Sequence, residues 1–322
     1  MNKFIFILVL GFLLINQASF AQNGKILEKK EFQAPGSLIR ELNEEQPGAN
    51  FKDSFALTTM ERVVYQSNKL RVVAYVIRPV QAGKYPVLIY NRDGYQEKGL
   101  LNELFCAKEL NSMARWGYVV VASQYRGYEG EDGRDEFGGE DVNDVLNLIP
   151  MAAGLPYADT SRVGMYGFNR GGMMTYLAMT RSKQIDAAIS ESGISNLYLY
   201  AAIHTEDGFY ESMEKMMPDY YSDKSGSMKK RSMAYWADNL LSDIPLLILH
   251  GSSDWDVHPS ESQSASESLF KIRYPHRSIL YEGGTNGLPE FKEEKNLEIH
   301  KWLDRYVRDQ KKFPSIRNLE RR

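Results

Sequence analysis

Apolar and polar side chains take turns along TTMERVVYQSNKLRVVAYVIRP, residues 58–79, with valine and tyrosine on both sides of Ser67-Asn68. A period of two around a short turn predicts an antiparallel hairpin. Beyond it the pattern changes to short continuous apolar runs separated by segments of helical spacing. YPVLIYN, YVVVASQYRG, SRVGMYG, DAAISESG, IPLLILHG and HRSILYEGG read as strands, and residues 101–116, 139–149, 171–182, 260–272 and 289–307 as helices. Runs such as PLLILH suit strands buried on both faces. The pattern therefore predicts an α/β domain over residues 58–309, with a mainly parallel, doubly wound sheet and an N-terminal antiparallel hairpin.

Some stretches stand outside this alternation. Residues 22–57 are polar and without sustained period, as expected of a lead-in segment laid over a domain. Residues 197–240, rich in tyrosine and methionine, form a helical insertion before the penultimate strand. That position puts it over the carboxyl ends of the strands, where open α/β sheets take ligands, so it reads either as a cap that shapes a pocket or as an excursion packed for stability. Residues 310–322 make a short basic tail. Residues 1–21 pair a positive flank at Lys3 with an apolar run from Phe4 to Ile15 and a Ser19-Phe20-Ala21 cleavage site. This is the pattern of a secretory signal peptide, and its apolar run is shorter than the roughly 20 residues of a membrane span. Export to a periplasm or to the medium follows as the expectation, with no membrane attachment after cleavage.

Composition narrows the classes. A formal charge of −3 and a pI near 6.0 offer no electrostatic footprint for nucleic acid or an anionic membrane. Cys106 is the sole cysteine, so no intramolecular disulfide forms, and its place in a helically spaced run reads as packing rather than nucleophile.

The chemistry concentrates in GMYGFNRGGMM, residues 164–174. A strand running through Gly167-Phe168-Asn169-Arg170-Gly171 into a helix has the outline of the G-x-S-x-G elbow, where glycines flank a nucleophile because the turn leaves no room for side chains. Here the central residue is Asn169. Serine hydrolases of this kind carry an acid and then a histidine after later strands. Asp254 in LILHGSSDWDV stands at the acid position, and Asn286 in YEGGTNGLPEF stands where the histidine is expected.

Together the hairpin ending in RP, YPVLIYNRDG, SQYRGYEGEDGRDEFGGEDVNDV, GFNRGG, HGSSDWDV and EGGTNGL resemble the peptidase domain of the prolyl oligopeptidase family of α/β hydrolases, from about Thr58 to Val307. Members are mostly serine peptidases or esterases, many with a β-propeller. The resemblance implies an α/β-hydrolase fold of the short exported kind, with the nucleophile replaced by Asn169, the base by Asn286, and the acid retained at Asp254. It also implies that the loop Asn91-Arg92-Asp93-Gly94 and the residue Arg170 border the oxyanion site, where the carboxylate of Asp93 would oppose developing negative charge.

Carboxamides neither attack an ester nor shuttle a proton near neutral pH. The expectation is therefore a catalytically inactive homologue that keeps a binding cleft for a peptide or small molecule, without cofactor. One alternative is an active hydrolase with relocated groups, drawing on His204, His250 or His258, or on Ser190 or Ser192. Another is a structural or partner-binding protein whose cleft is filled by aromatic and methionine side chains. HGSSDWDVH and GYEGEDGRDEFGGED match no zinc or calcium signature. The second of these reads as a loop into a helix whose first turn carries Glu140 and Asp141.

Overall fold

A computed structural model describes residues 23–314 except 46, 49, 206, 207, 242 and 243. The signal-peptide reading of residues 1–21 and the last part of the basic tail lie outside the described residues. Among the described residues nine strands form one sheet: β1 (Ile26–Phe32), β2 (Thr58–Ser67), β3 (Leu70–Pro79), β4 (Tyr85–Asn91), β5 (Val119–Ser123), β6 (Ala158–Phe168), β7 (Ala187–Glu191), β8 (Leu246–Gly251) and β9 (His276–Tyr281). Their order is β1-β2-β3-β5-β4-β6-β7-β8-β9. The first three and the β3–β5 pair are antiparallel, and every later pair is parallel.

The hairpin turns where the alternation breaks. Asn68 and Lys69 hold φ values of 49° and 72°, the two positive φ angles of a tight turn whose twist matches paired strands. Within the parallel part, successive residues serve opposite faces. Val87 and Ile89 of β4 join the core that contains the helix Arg170–Met179, while Leu88 and Tyr90 join the one that contains the helix Lys292–Leu303. This is why a strand such as YPVLIYN shows a continuous apolar run rather than alternation.

Residues 22–57, read as lacking sustained period, contribute β1, which pairs antiparallel with β2, and the helices Gly36–Glu45 and Phe51–Ala56. β1 sits at the sheet edge with ILEKKEF mostly exposed and Phe32 buried, so backbone pairing rather than side-chain burial defines it. Residues 101–116, read as one helix, carry a π-turn at Cys106–Leu110 between two α-helical segments. Glu140 and Asp141 precede the helix Val142–Leu146 instead of forming its first turn, because the Asp141 carboxylate turns back to accept the Gly138 N–H at 3.0 Å.

The strand order fixes where a site forms. β4 lies between β5 and β6, so the chain winds outward to β5 and then back across to β6. At such a reversal the loops leaving neighbouring strands part and open a crevice at the carboxyl ends. Asn91 at the end of β4 is level with Gly167 on β6, which brings the 91–94 loop beside the elbow.

Candidate functional site

β6 ends at Phe168 and the helix Arg170–Met179 begins two residues later, leaving Asn169 alone at the bend with φ 48° and ψ −113°. Asparagine accepts positive φ more readily than most non-glycine residues. The flanking glycines have no substitute: a Cβ on Gly167 would stand 2.0 Å from the Gly171 carbonyl oxygen, and one on Gly171 would stand 1.9 Å from the Asn91 carbonyl oxygen. The bend is tied down by the Asn169 N–H donating to the Glu191 carbonyl at 3.0 Å and the Gly172 N–H donating to the Asn169 carbonyl at 3.0 Å.

The side chain of Asn169 meets Asn286 in a reciprocal amide pair. Asn286 Nδ2 donates to Asn169 Oδ1 at 3.0 Å, and Asn169 Nδ2 lies 3.4 Å from Asn286 Oδ1. Asn286 Nδ2 also reaches both carboxylate oxygens of Asp254, at 3.1 and 3.0 Å. Burial opposes ionisation of Asp254, but hydrogen bonds from His250, the Val257 N–H and Asn286 outweigh it and hold the carboxyl below its usual range. On the other side Asn169 Nδ2 donates to Asp93 Oδ2 at 3.1 Å, while Asp93 Oδ1 accepts the Arg170 backbone N–H at 3.2 Å. Desolvation pushes the Asp93 carboxyl up, opposed by the hydrogen bonds from the Gly94 N–H, Asn169 and the Arg170 N–H. The result is one hydrogen-bonded line, Asp254–Asn286–Asn169–Asp93, across the nucleophile and base positions.

Only the backbone of Arg170 faces this line. Its guanidinium runs the other way, donating to Asp135 at 2.6 Å from each of two nitrogens, to Asp141 at 2.7 Å and to the Gly94 carbonyl at 2.8 Å. It also stacks on Tyr125 and Phe137. Asp135 is held far below the ordinary carboxyl range because the Arg170 charge outweighs its burial, whereas burial and the neighbouring Asp135 push Asp141 up to about 6. Arg92 is likewise buried. It lies over Tyr125 and Tyr128 and donates to the Gln124 and Asp93 carbonyls, the latter at 2.8 Å. Both arginines therefore shape the loops around the site without pointing into it.

A profile of the prolyl oligopeptidase family matches residues 105–310. The chain belongs to the prolyl oligopeptidase family. Among curated proteins it is similar to the uncharacterized peptidase YtmA of Bacillus subtilis (strain 168), 25 % identical over 286 residues, covering 86 % of this chain and 98 % of that one. It is also similar to dipeptidyl-peptidase 5 of Porphyromonas gingivalis, 26 % identical over 239 residues, 70 % of this chain but 34 % of the relative. The chain thus spans nearly the whole of one relative and about a third of the other. Among solved structures, an acylaminoacyl peptidase in complex with Z-Gly-Gly-Phe-chloromethyl ketone superposes with a TM-score of 0.66 at 23 % identity, over 82 % of this chain and 44 % of that one. That likeness speaks for the fold alone, an α/β-hydrolase fold.

Against the family's pattern, the histidines weighed as substitutes bond to backbone carbonyls or to a local hydroxyl, and the serines are buried. His250 is buried behind Asp254, its Nε2 donating to the Val257 carbonyl at 2.7 Å and lying 3.4 Å from Asp254 Oδ2. His258 Nδ1 meets Ser260 Oγ at 2.9 Å on an exposed helix start, two residues along the chain, which is a local capping contact. His204 Nε2 donates to the Asp256 carbonyl at 2.8 Å. Ser190 and Ser192 are fully buried. Among the described residues no group of three or more His, Cys, Asp and Glu side chains is placed to hold a metal.

The insertion packs onto the loops at the strand ends. Tyr95, Phe137 and Phe209 form a triangle with ring centroids 5.9 to 6.0 Å apart, all three buried, with Met213 and Met216 in the same core. Arg231 clamps the arrangement from the insertion, donating to the Phe137 and Glu136 carbonyls at 2.7 and 2.8 Å. Asp135, Asp141 and this triangle are the parts that sequence reasoning missed as a unit. The available signal was an arginine inside an apolar elbow helix, since a buried guanidinium requires carboxylate partners.

Proposed function

We propose that the protein is a catalytically silent member of the prolyl oligopeptidase family which keeps the hydrolase scaffold for binding rather than for bond cleavage. The observation that carries this reading is the reciprocal pair of Asn169 and Asn286, two carboxamides in hydrogen-bond contact at the positions of nucleophile and base. An amide nitrogen is delocalised into its carbonyl and does not attack an acyl carbon, and neither side chain accepts and returns a proton near pH 7. Loss of a triad nucleophile or base lowers turnover by about 10⁶. Support also comes from where the histidines lie, because neither of the two that approach Asp254 or its loop, His250 and His204, makes its hydrogen bond toward Asn169.

The ligand class that suits the remaining surface is a peptide or a small molecule with an apolar part. Asn286 is half-buried, and Trp255, in the loop that carries Asp254, is 82 % exposed, so the loop beside the amide pair offers solvent a large aromatic side chain. The filled aromatic triangle favours a second reading, in which the inner part of the cleft is structural and binding is confined to this outer rim. Export, with residues 1–21 removed, completes the proposal.

The test is incubation of the purified protein with a fluorophosphonate probe and a panel of esters and peptide amides. No stoichiometric labelling and no saturable turnover is the expected outcome. A covalent adduct at any residue, formed at a rate comparable to that of an active family member, refutes the silent reading. Quenching of Trp255 fluorescence by a peptide library, abolished in Trp255→Phe, separates rim binding from a purely structural role.

A further inference from the structure

The Arg170 N–H is the backbone donor that follows the nucleophile position, the group that in an elbow of this kind stabilises the oxyanion. In this chain that donor is already taken. Asp93 Oδ1 accepts it at 3.2 Å, and Asp93 Oδ2 accepts Asn169 Nδ2 at 3.1 Å. One planar carboxylate therefore bridges the oxyanion donor and the nucleophile position, which is the placement of a carboxylic acid product left in a hydrolase site. We propose, resting on the silent reading above, that Asp93 is a built-in ligand of the oxyanion site, and that removing its side chain opens a receptor for a small external carboxylate or for the acyl oxygen of an ester.

Three features of the loop argue that the side chain, rather than the backbone, closes the site. The Asp93 carbonyl is held independently by Arg92 Nη1 at 2.8 Å. Gly94 at φ +81° packs so closely on the far side of its turn that a Cβ there would stand 2.1 Å from the Lys98 carbonyl oxygen, and its own carbonyl is bound by Arg170 Nη1 at 2.8 Å. The loop course therefore survives loss of the carboxylate. Asp93 is also partly exposed although its two oxygens face inward and its carboxylate is desolvated, so it is the side chain itself that fills the inner side of the loop. Simple charge repulsion and physical occupancy make different forecasts here. An asparagine at this position removes the charge but still fills the space, whereas a glycine empties it.

The experiment compares esterase activity in Asn169→Ser/Asn286→His with the same pair combined with Asp93→Gly or with Asp93→Asn, and measures acetate-dependent melting of the Asp93→Gly single variant. The double variant is expected to be inert, the combination with Asp93→Gly to gain about 100-fold over it, the size of an oxyanion donor's contribution, and the combination with Asp93→Asn to stay at the level of the double variant. Acetate should raise the melting temperature of Asp93→Gly in a concentration-dependent way that chloride at matched ionic strength does not reproduce, and should leave the unmodified protein unmoved. Full activity in the double variant overturns the inference, as does a folded Asp93→Gly protein indifferent to acetate. Turnover by the unmodified protein instead sinks the silent reading, and the acetate arm then still reports on Asp93.

Discussion

Asn169 holds φ 48° and ψ −113°, a conformation whose maintenance in a non-glycine residue costs on the order of 1–3 kcal/mol and persists only where the surroundings over-determine it. Those surroundings are the buried glycines on either side and the hydrogen bonds of its backbone, and none of them depends on which side chain occupies the bend. This explains how the elbow outlives its chemistry. Another buried group shows how a single residue sets the pH response. Glu261 is buried while accepting the Ser195 and Asn196 N–H groups at 2.8 and 2.6 Å, and desolvation pushes its carboxyl up to about 7 from the ordinary 4.5. A raised carboxyl binds its proton more tightly in the folded state, so its stabilising contribution is complete below about pH 4.5 and is lost as pH rises through about 7. Chemical denaturation of Glu261→Gln across pH 4 to 8 should show a flatter profile than the unmodified protein over this window, the difference approaching about 3 kcal/mol at most. Parallel profiles would mean that Glu261 ionises normally.

Among the elements, the insertion is fastened over the loops at the strand ends by aromatic contacts. Phe209 is 1 % exposed and touches Tyr95, Phe137 and Tyr200, so it acts as the peg that fastens the helix Phe209–Met216 to the loops around the elbow. Phe209→Ala should lower unfolding free energy by about 3–5 kcal/mol, and limited proteolysis should find new cleavage within 197–240 while the sheet stays protected. Unchanged protease resistance would show that the insertion is held by other contacts. Legibility differed between elements for physical reasons. YPVLIYN coincides with β4 because a strand covered on both faces is apolar throughout, and the hairpin was visible because a polar turn separates two runs rich in valine and tyrosine, although the turn falls at Asn68-Lys69, one residue beyond Ser67-Asn68. β1 left no such trace, since ILEKKEF lies at an edge and owes its position to backbone hydrogen bonds with β2, which any sequence can make. The π-turn at Cys106–Leu110 was equally silent, because its apolar spacing passes for a regular helix.

Over the whole molecule, two cores on either side of one nine-stranded sheet carry the fold, and Cys106 is buried and free. With its one cysteine buried and free, the chain relies on those cores rather than on an intramolecular disulfide. Cell fractionation with N-terminal sequencing should recover the protein outside the cytoplasm beginning at Gln22, and dithiothreitol should leave its melting temperature unchanged. Recovery of a chain that retains Met1, or a reductant-dependent melting temperature, contradicts this reading.

The kinds of chemical group at the elbow were settled by covalent structure: amides at 169 and 286 and a carboxylate at 254 follow from reading the residues in order, as does the alternation of strands and helices, because burial imposes local periods on a chain. Partnership was not local. Asp93 and Asn169 are 76 residues apart, and Asn169 and Asn286 are 117 apart. Whether the Asp93 carboxylate lay near the oxyanion donor as a distant charge or sat directly on it depended on how the β4 and β6 loops meet. The same holds for Arg170, whose charge faces Asp135 and Asp141 rather than the cleft. Those orientations follow from packing between segments distant in sequence, where each side chain takes the one direction that satisfies its hydrogen bonds out of water.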